Sequence, residues 1–224
     1  MIHWLKQSLA EIPADDYLTD AELARFQELK TDKRRTDWLL GRWTAKRLLQ
    51  TVIWETDGVT PPLDMITITN NVDGVPDYRL PITDHRFSIS ISHAHGRAFV
   101  AAVEKTHAPI GVDMELIQPR LAGFAEEYFT LAEIALGYGL IGAERVVWET
   151  AVWSAKEAVL KALHLGLSVN TRAISCLIEP VARPSNIWMP FVICYDQTRL
   201  PRPAPPLTGW WRVEDGFVLT IATG

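Results

Sequence analysis

Only two cysteines, Cys176 and Cys194, occur in the 224 residues. They form no CxxC pair, so neither a zinc ribbon nor a disulfide scaffold is available, and free thiols are expected. No apolar run approaches the roughly 20 residues that a membrane span needs. The opening Met1-Ile2-His3-Trp4 has neither the basic start nor the apolar stretch of a signal peptide, so a cytoplasmic protein with no membrane partner is expected. Positive charge is not in excess either: 22 Lys and Arg stand against 27 Asp and Glu, a net charge of −5. That balance lacks the gross positive field of a nucleic-acid binder. GxSxG, GxxxxGK[ST] and HExxH are all absent. Gly137-Tyr-Gly139-Leu-Ile-Gly142 spells GxGxxG, but it follows a helix and no acid of a βαβ unit comes after it, so a dinucleotide fold is not supported.

What remains is an ordinary packed composition, 48% hydrophobic and 22% charged, long enough for one large domain or two small ones. Thr19 and Glu22 form a capping box, which predicts a helix from about Asp20 to Lys30. A second helix over about 33–55 buries Leu39, Leu40, Trp43, Leu48, Val52 and Ile53. Strands are expected at 65–69, 87–92, 97–103 and 110–116 from their alternation. Thr130 and Glu133 repeat the capping box before a short helix ending near Gly137, and a longer helix spans about 144–164. Short strands at 174–178, 188–195, 210–214 and 217–222 complete the chain. No internal sequence repeat stands out, yet helices and sheets occur twice in similar proportion. The pattern therefore predicts an α+β protein of two lobes, residues 1–104 and 105–224.

Three places carry candidate chemistry. Seven of the 22 basic residues fall between 30 and 47, and Arg35, Arg42 and Lys46 line one helical face; they form either a solvated face or an anion site. Asp113 and Glu115 share one side of a strand, either as its solvent face or as two hard oxygen ligands for one cation. On the 144–164 helix, Ala151, Val152, Ala155, Ala158, Val159, Ala162 and Leu163 already supply a core stripe. The opposite face carries Trp153, Glu157, Leu160, Lys161 and His164, reading as a partly buried wet pocket or as an ordinary Glu157–Lys161 surface pair. Ser92 and His93 end an alternating strand at a turn whose donors suit a phosphate. His93-x-His95 without a third nitrogen or sulfur ligand is poor zinc evidence, and His95 is read as structural.

Ile110-Gly-Val-Asp-Met-Glu115, Ile89-Ser-Ile-Ser-His93 and Trp153-Ser-Ala-Lys-Glu-Ala158-Val-Leu-Lys161 together resemble the three signature blocks of the Sfp-type phosphopantetheinyl transferases, within the holo-acyl-carrier-protein synthase superfamily. The likeness extends to Arg34-Arg35-Thr-Asp-Trp-Leu-Leu-Gly41-Arg42 with Lys46 and to Gly74-Val75-Pro76. It implies a pseudo-dimer of two similar α+β lobes with the active site in the cleft between them. The implied reaction moves phosphopantetheine from coenzyme A to a serine of an apo acyl or peptidyl carrier protein, with magnesium, releasing 3′,5′-ADP.

By the same resemblance Asp113, Glu115 and Glu157 hold magnesium, and Glu157 or a water it holds takes the serine proton. Lys161 and His93 contact the phosphates, with Lys156 as a phosphate or scaffold contact. Arg42, Lys46, Arg35 and Ser92 bind the nucleotide end of coenzyme A. Arg120, Leu121 and Arg145 are conceivable carrier contacts, and a monomer is implied. Val75 departs from the family, which often has a lysine or arginine there. The competing readings are a non-catalytic binder of coenzyme A or a carrier protein, and a magnesium-dependent phosphohydrolase of nucleotides.

Overall fold

The computed structural model describes residues 1–12, 17–71, 73–81, 86–105, 109–166, 169–181 and 185–224. The chain divides into two units, Met1–Ala108 and Pro109–Gly224, of mixed α+β structure.

In the first unit the edge strand β1 (Ile2–Ser8) leads to helix α1 (Asp20–Gln27) and the long helix α2 (Asp32–Asp57). The expected capping box is present: Thr19 Oγ1 accepts from the Glu22 N–H while the Glu22 carboxylate accepts from the Thr19 N–H. Helix α2 stops at Gly58, whose left-handed backbone, φ +68°, closes the last turn. A two-stranded hairpin follows, β2 (Thr67–Asn70) with β3 (Pro76–Arg79), and then β4 (Phe87–Ala94) and β5 (Arg97–Glu104). The three-stranded sheet runs β1-β5-β4, antiparallel throughout. Helix α2 lays Leu48, Leu49, Val52 and Ile53 into a core shared with Ile89, Val100 and Ala102.

The second unit opens with β6 (Ile110–Leu116), followed by α3 (Phe124–Tyr128), α4 (Leu131–Leu136) and α5 (Gly142–Ala162). Strands β7 (Ile174–Leu177), β8 (Met189–Tyr195), β9 (Thr208–Glu214) and β10 (Phe217–Thr223) complete a five-stranded sheet in the order β6-β10-β9-β8-β7. Helix α5 meets β6 at unusually short range. A Cβ placed on Gly111 would lie 1.9 Å from the Ala158 carbonyl oxygen and 2.4 Å from the Ala162 nitrogen, so only glycine lets the helix backbone come this close. Ser154 and Thr220 add a buried hydroxyl pair at 2.9 Å between α5 and β10.

The two units share a buried lysine–glutamate clasp, a repeat set by partners distant in sequence. In the first unit Lys46 of α2 is fully buried and reaches the Glu22 carboxylate at 2.5 Å and the carbonyls of Tyr17 and Leu63. The other Glu22 oxygen accepts from the Ile68 N–H of β2. In the second unit Lys156 of α5 is likewise fully buried, with the Glu133 carboxylate at 2.9 Å and the carbonyls of Thr171 and Ile174. The other Glu133 oxygen accepts from the Cys176 N–H of β7. Both lysines close a Trp-[Thr/Ser]-Ala-Lys run, 43–46 and 153–156, and both acids belong to capping boxes. The repeat is a handful of residues spread over two dozen positions, too sparse to stand out without the structure.

The last two strands of each unit keep the same register. Turns at His95-Gly96 and Asp215-Gly216 both have two residues of positive φ, which fits the twist of a tight hairpin. Four residues after each turn glycine, Val100 faces Leu5 on β1 and Thr220 faces Asp113 on β6. Leu5 therefore stands in the first unit where Asp113 stands in the second. The residue after the clasp lysine is Arg47 in one unit and Glu157 in the other.

Candidate active site

The close seating of α5 on β6 at Gly111 brings the α5 side chains down onto the acids of the strand. Asp113 is 5% exposed, so it is no solvent-face residue. Lys161 Nζ donates to Asp113 Oδ1 at 2.8 Å and to the Val112 carbonyl at 3.0 Å. Glu115, two residues along the strand, accepts from Arg120 at 2.9 Å, and the Arg120 guanidinium lies over the Phe124 ring of α3.

Glu157 sits one turn before Lys161 and is half-buried. Its Oε1 is buried and has no hydrogen-bond partner among the described residues. Burial first, and then the field of Asp113, push its carboxyl up to about 7; Lys161 opposes the shift and Glu115 adds to it. A surface pair with Lys161 is therefore excluded: the lysine turns to Asp113, and Glu157 is left as an acid poised between its two charge states near neutrality.

No three His, Cys, Asp or Glu side chains among the described residues form a ready-made metal cluster. Lys161 and Arg120 hold two of the three acids, Asp113 and Glu115. The donors nevertheless suit a hard divalent cation: all are carboxylate oxygens, and a cation at the buried Glu157 Oε1 would supply the partner that oxygen lacks.

Trp153 belongs elsewhere than the sequence pattern suggested. Its ring packs 5.2 Å from both Phe124 and Tyr128 of α3, centroid to centroid, so it fills an aromatic cluster under that short helix. Leu160, expected on the wet face, is 1% exposed. Two basic residues also need correction. Lys46 and Lys156 are each 0% exposed and spend their donors on a buried carboxylate and carbonyls, which leaves neither available to a phosphate; Lys156 is a scaffold residue. Arg120 is tied to Glu115 rather than presented to a carrier, whereas Leu121 beside it is 88% exposed.

In the first unit a pocket of about 810 Å³ is lined by Arg25, Lys33, Arg34, Trp38, Arg42 and His93 among others. Arg42 and His93 are thus brought to one cavity. Arg35 is not part of its wall, since its Nε donates to the Leu29 carbonyl, and Ser92 is 5% exposed. His93 lies 4.0 Å from Asp37, which also accepts from Lys33 at 2.8 Å. Arg25, Trp38 and Asn70 were not singled out from the sequence. Only Trp38 left a trace there, one helical turn before Arg42.

The sequence model of the 4′-phosphopantetheinyl transferase superfamily matches residues 109–219, a stretch lying within the second unit. A holo-[acyl-carrier-protein] synthase of Streptococcus sanguinis is 39% identical over 84 residues, 37% of this chain and 68% of that protein. One from Anoxybacillus flavithermus is 33% identical over 86 residues, 38% of this chain and 71% of its own length. Among solved structures, the Helicobacter pylori holo-[acyl-carrier-protein] synthase in complex with coenzyme A aligns with 46% of this chain and 99% of its own. The identity is 18% and the TM-score 0.37. No helix among the described residues is long and apolar enough to cross a membrane.

Proposed function

Because the chain belongs to the 4′-phosphopantetheinyl transferase superfamily, we propose that it moves the 4′-phosphopantetheine arm of coenzyme A to a serine of an apo carrier protein. The reaction releases 3′,5′-ADP and depends on magnesium. The observation that carries this reading is Glu157: a half-buried carboxyl beside Asp113, with a buried Oε1 that has no hydrogen-bond partner among the described residues. Such an oxygen is open to a hard cation or to the proton of an attacking hydroxyl.

Asp113 and Glu157 would hold the metal, with Glu115 joining directly or through water. Bound magnesium would offset negative charge on the pyrophosphate and help orient it for attack. Glu157, or a water it orients, takes the proton from the carrier serine as its oxygen attacks the phosphorus that bears pantetheine. Lys161, 32% exposed and paired with Asp113, would turn to the phosphate oxygens once that acid binds the metal, and there its charge counters the growing negative charge. In the first unit Arg42 and His93 bind phosphates of the nucleotide; a planar guanidinium fork suits a phosphate monoester. The first unit, Met1–Ala108, thus supplies nucleotide contacts and the second, Pro109–Gly224, the metal and catalytic acids, close to the expected division at 104/105. The protein acts as a cytoplasmic monomer.

Intact-mass spectrometry of an apo acyl carrier protein incubated with this protein and coenzyme A, with and without magnesium, tests the proposal. A metal-dependent gain of one phosphopantetheine is expected. Release of 4′-phosphopantetheine with no gain on any carrier would make the protein a phosphohydrolase. Binding of coenzyme A with neither outcome would make it a binder only.

A further inference from the structure

Arg42 differs from the other cations of its pocket in how it is held. Its guanidinium lies 4.2 Å from the centroid of the Trp38 ring, which supports one face. A terminal nitrogen donates to Asn70 Oδ1 at 3.0 Å. Its Nε is buried and has no hydrogen-bond partner among the described residues. The nearby acid, Glu22, is already committed to Lys46 and to the N–H groups of Thr19 and Ile68. Burial pulls the Arg42 guanidinium down to about 10, the mark of a cation without an acid of its own.

Asn70 is itself fixed. Its Nδ2 donates to the Gly74 carbonyl at 2.7 Å, which turns Oδ1 toward Arg42. The turn that carries Gly74 is pinned in turn by Asn71, whose Oδ1 accepts from the N–H groups of Asp73 and Val75 at 2.9 Å each. Gly74 needs its left-handed backbone, φ +79°, to close that turn. The guanidinium is therefore braced on one face by Trp38 and on one edge by a neutral oxygen. A neutral oxygen has a particular merit here. An aspartate in its place would orient the fork equally well but would also neutralise it, and compete with any anion for the remaining donors.

We infer that Asn70 is a positioning residue that sets the Arg42 fork for a phosphate monoester, the chemical class of the 3′-phosphate of coenzyme A. The inference rests on Arg42 being a nucleotide contact. It also accounts for how a chain with Val75 in the Gly-x-Pro turn still uses that turn for recognition: the turn acts through its Gly74 carbonyl and Asn70 instead of through a basic side chain.

Titration calorimetry with 3′,5′-ADP and with 5′-AMP, which lacks the 3′-phosphate, tests this on the wild type and on N70A, N70D and R42A. N70A is expected to weaken 3′,5′-ADP about tenfold, the scale of one hydrogen bond to a charged group. N70D should weaken it further, and neither should move the affinity for 5′-AMP by more than about twofold. In turnover assays both variants should raise the KM for coenzyme A and leave kcat nearly intact. If N70A fails to fold, N70D, closest to asparagine in shape, carries the test alone. Should R42A lose 3′,5′-ADP affinity while the Asn70 variants keep it, the positioning role is wrong and the nucleotide site stands. If R42A also binds as the wild type does, the nucleotide site itself is wrong, and the inference goes with it.

Discussion

Lys156 and Glu133 meet at 2.9 Å with neither side chain exposed to solvent; the lysine also donates to two carbonyls, and the acid accepts from two backbone N–H groups and the Thr130 hydroxyl. The pair joins α5 to α4 and to the start of β7, and it fixes the rotation of the helix that carries Glu157 on its next residue. Removing one partner leaves a buried charge uncompensated. Lys156→Ala is therefore expected to cost about 3–5 kcal/mol of stability, measured by urea unfolding. Replacing both, as K156M/E133Q, should recover part of that loss.

Glu157→Gln should keep the fold, because the side chain anchors nothing, while cutting turnover by about 100-fold or more if Glu157 is base or ligand. Phosphopantetheine transfer at saturating coenzyme A checks it; turnover within a few-fold of wild type would remove Glu157 from the mechanism.

The same carboxyl predicts a pH dependence of stability without metal. Its raised folded value, from 4.5 to about 7, means that the folded state favours the protonated acid. The associated stability is complete below about pH 4.5 and is lost as pH rises through about 7. After allowance for partial exposure the loss amounts to about 1–2 kcal/mol. Melting curves at pH 5 and pH 8, which bracket most of the window between 4.5 and about 7, should show it in the wild type and not in Glu157→Gln. Magnesium should restore wild-type stability at pH 8 and do less for the variant.

Gly111→Ala should be severe for a single methyl group. The added carbon would meet the Ala158 carbonyl at 1.9 Å, backbone against backbone, so α5 must lift from β6. Overpacking of this kind costs roughly 1–3 kcal/mol or more, and Glu157 and Lys161 move away from Asp113 together. A loss of activity well beyond the loss of folded protein, read by circular dichroism beside turnover, is the expected result.

Arg120→Ala releases Glu115 from its partner at 2.9 Å and leaves the acids less compensated. If Glu115 is a metal ligand, magnesium should bind about 3–10-fold more tightly at low ionic strength. Unchanged affinity by calorimetry would make Glu115 a partner of Arg120 only.

Much of this was legible in the sequence, for reasons that can be named. Strand β6 fell at 110–116 as expected, and the capping boxes at Thr19 and Thr130 placed the starts of two helices. Helix α3 was missed because five residues behind a left-handed Gly123 show no period, and with it went the real setting of Trp153. Strand β1 was missed because every residue of Ile2–Ser8 is half-buried, so no alternation of polar and apolar residues appears. Among the site residues, strand and helix faces set out Asp113 with Glu115 and Glu157 with Lys161 as separate candidates, and only the family resemblance joined them. Lys46 was misread, and Lys156 was left between phosphate and scaffold, because a lysine on a helix resembles surface charge until its acid is found, and Glu22 and Glu133 lie two dozen positions upstream. Arg42 could be placed on a face, but its brace at Asn70 comes from the end of β2, 28 residues on.

The doubled clasp explains how one chain came to hold two temperaments. Leu5 and Arg47 occupy in the first unit the stations of Asp113 and Glu157, and the Lys46–Glu22 pair stands there undisturbed. Neither acid, then, belongs to the lysine–glutamate clasp that the two units share; each is cargo on it. A designer wishing to give this architecture a new appetite can exchange the cargo on one half, provided the lysine beside it stays in its socket.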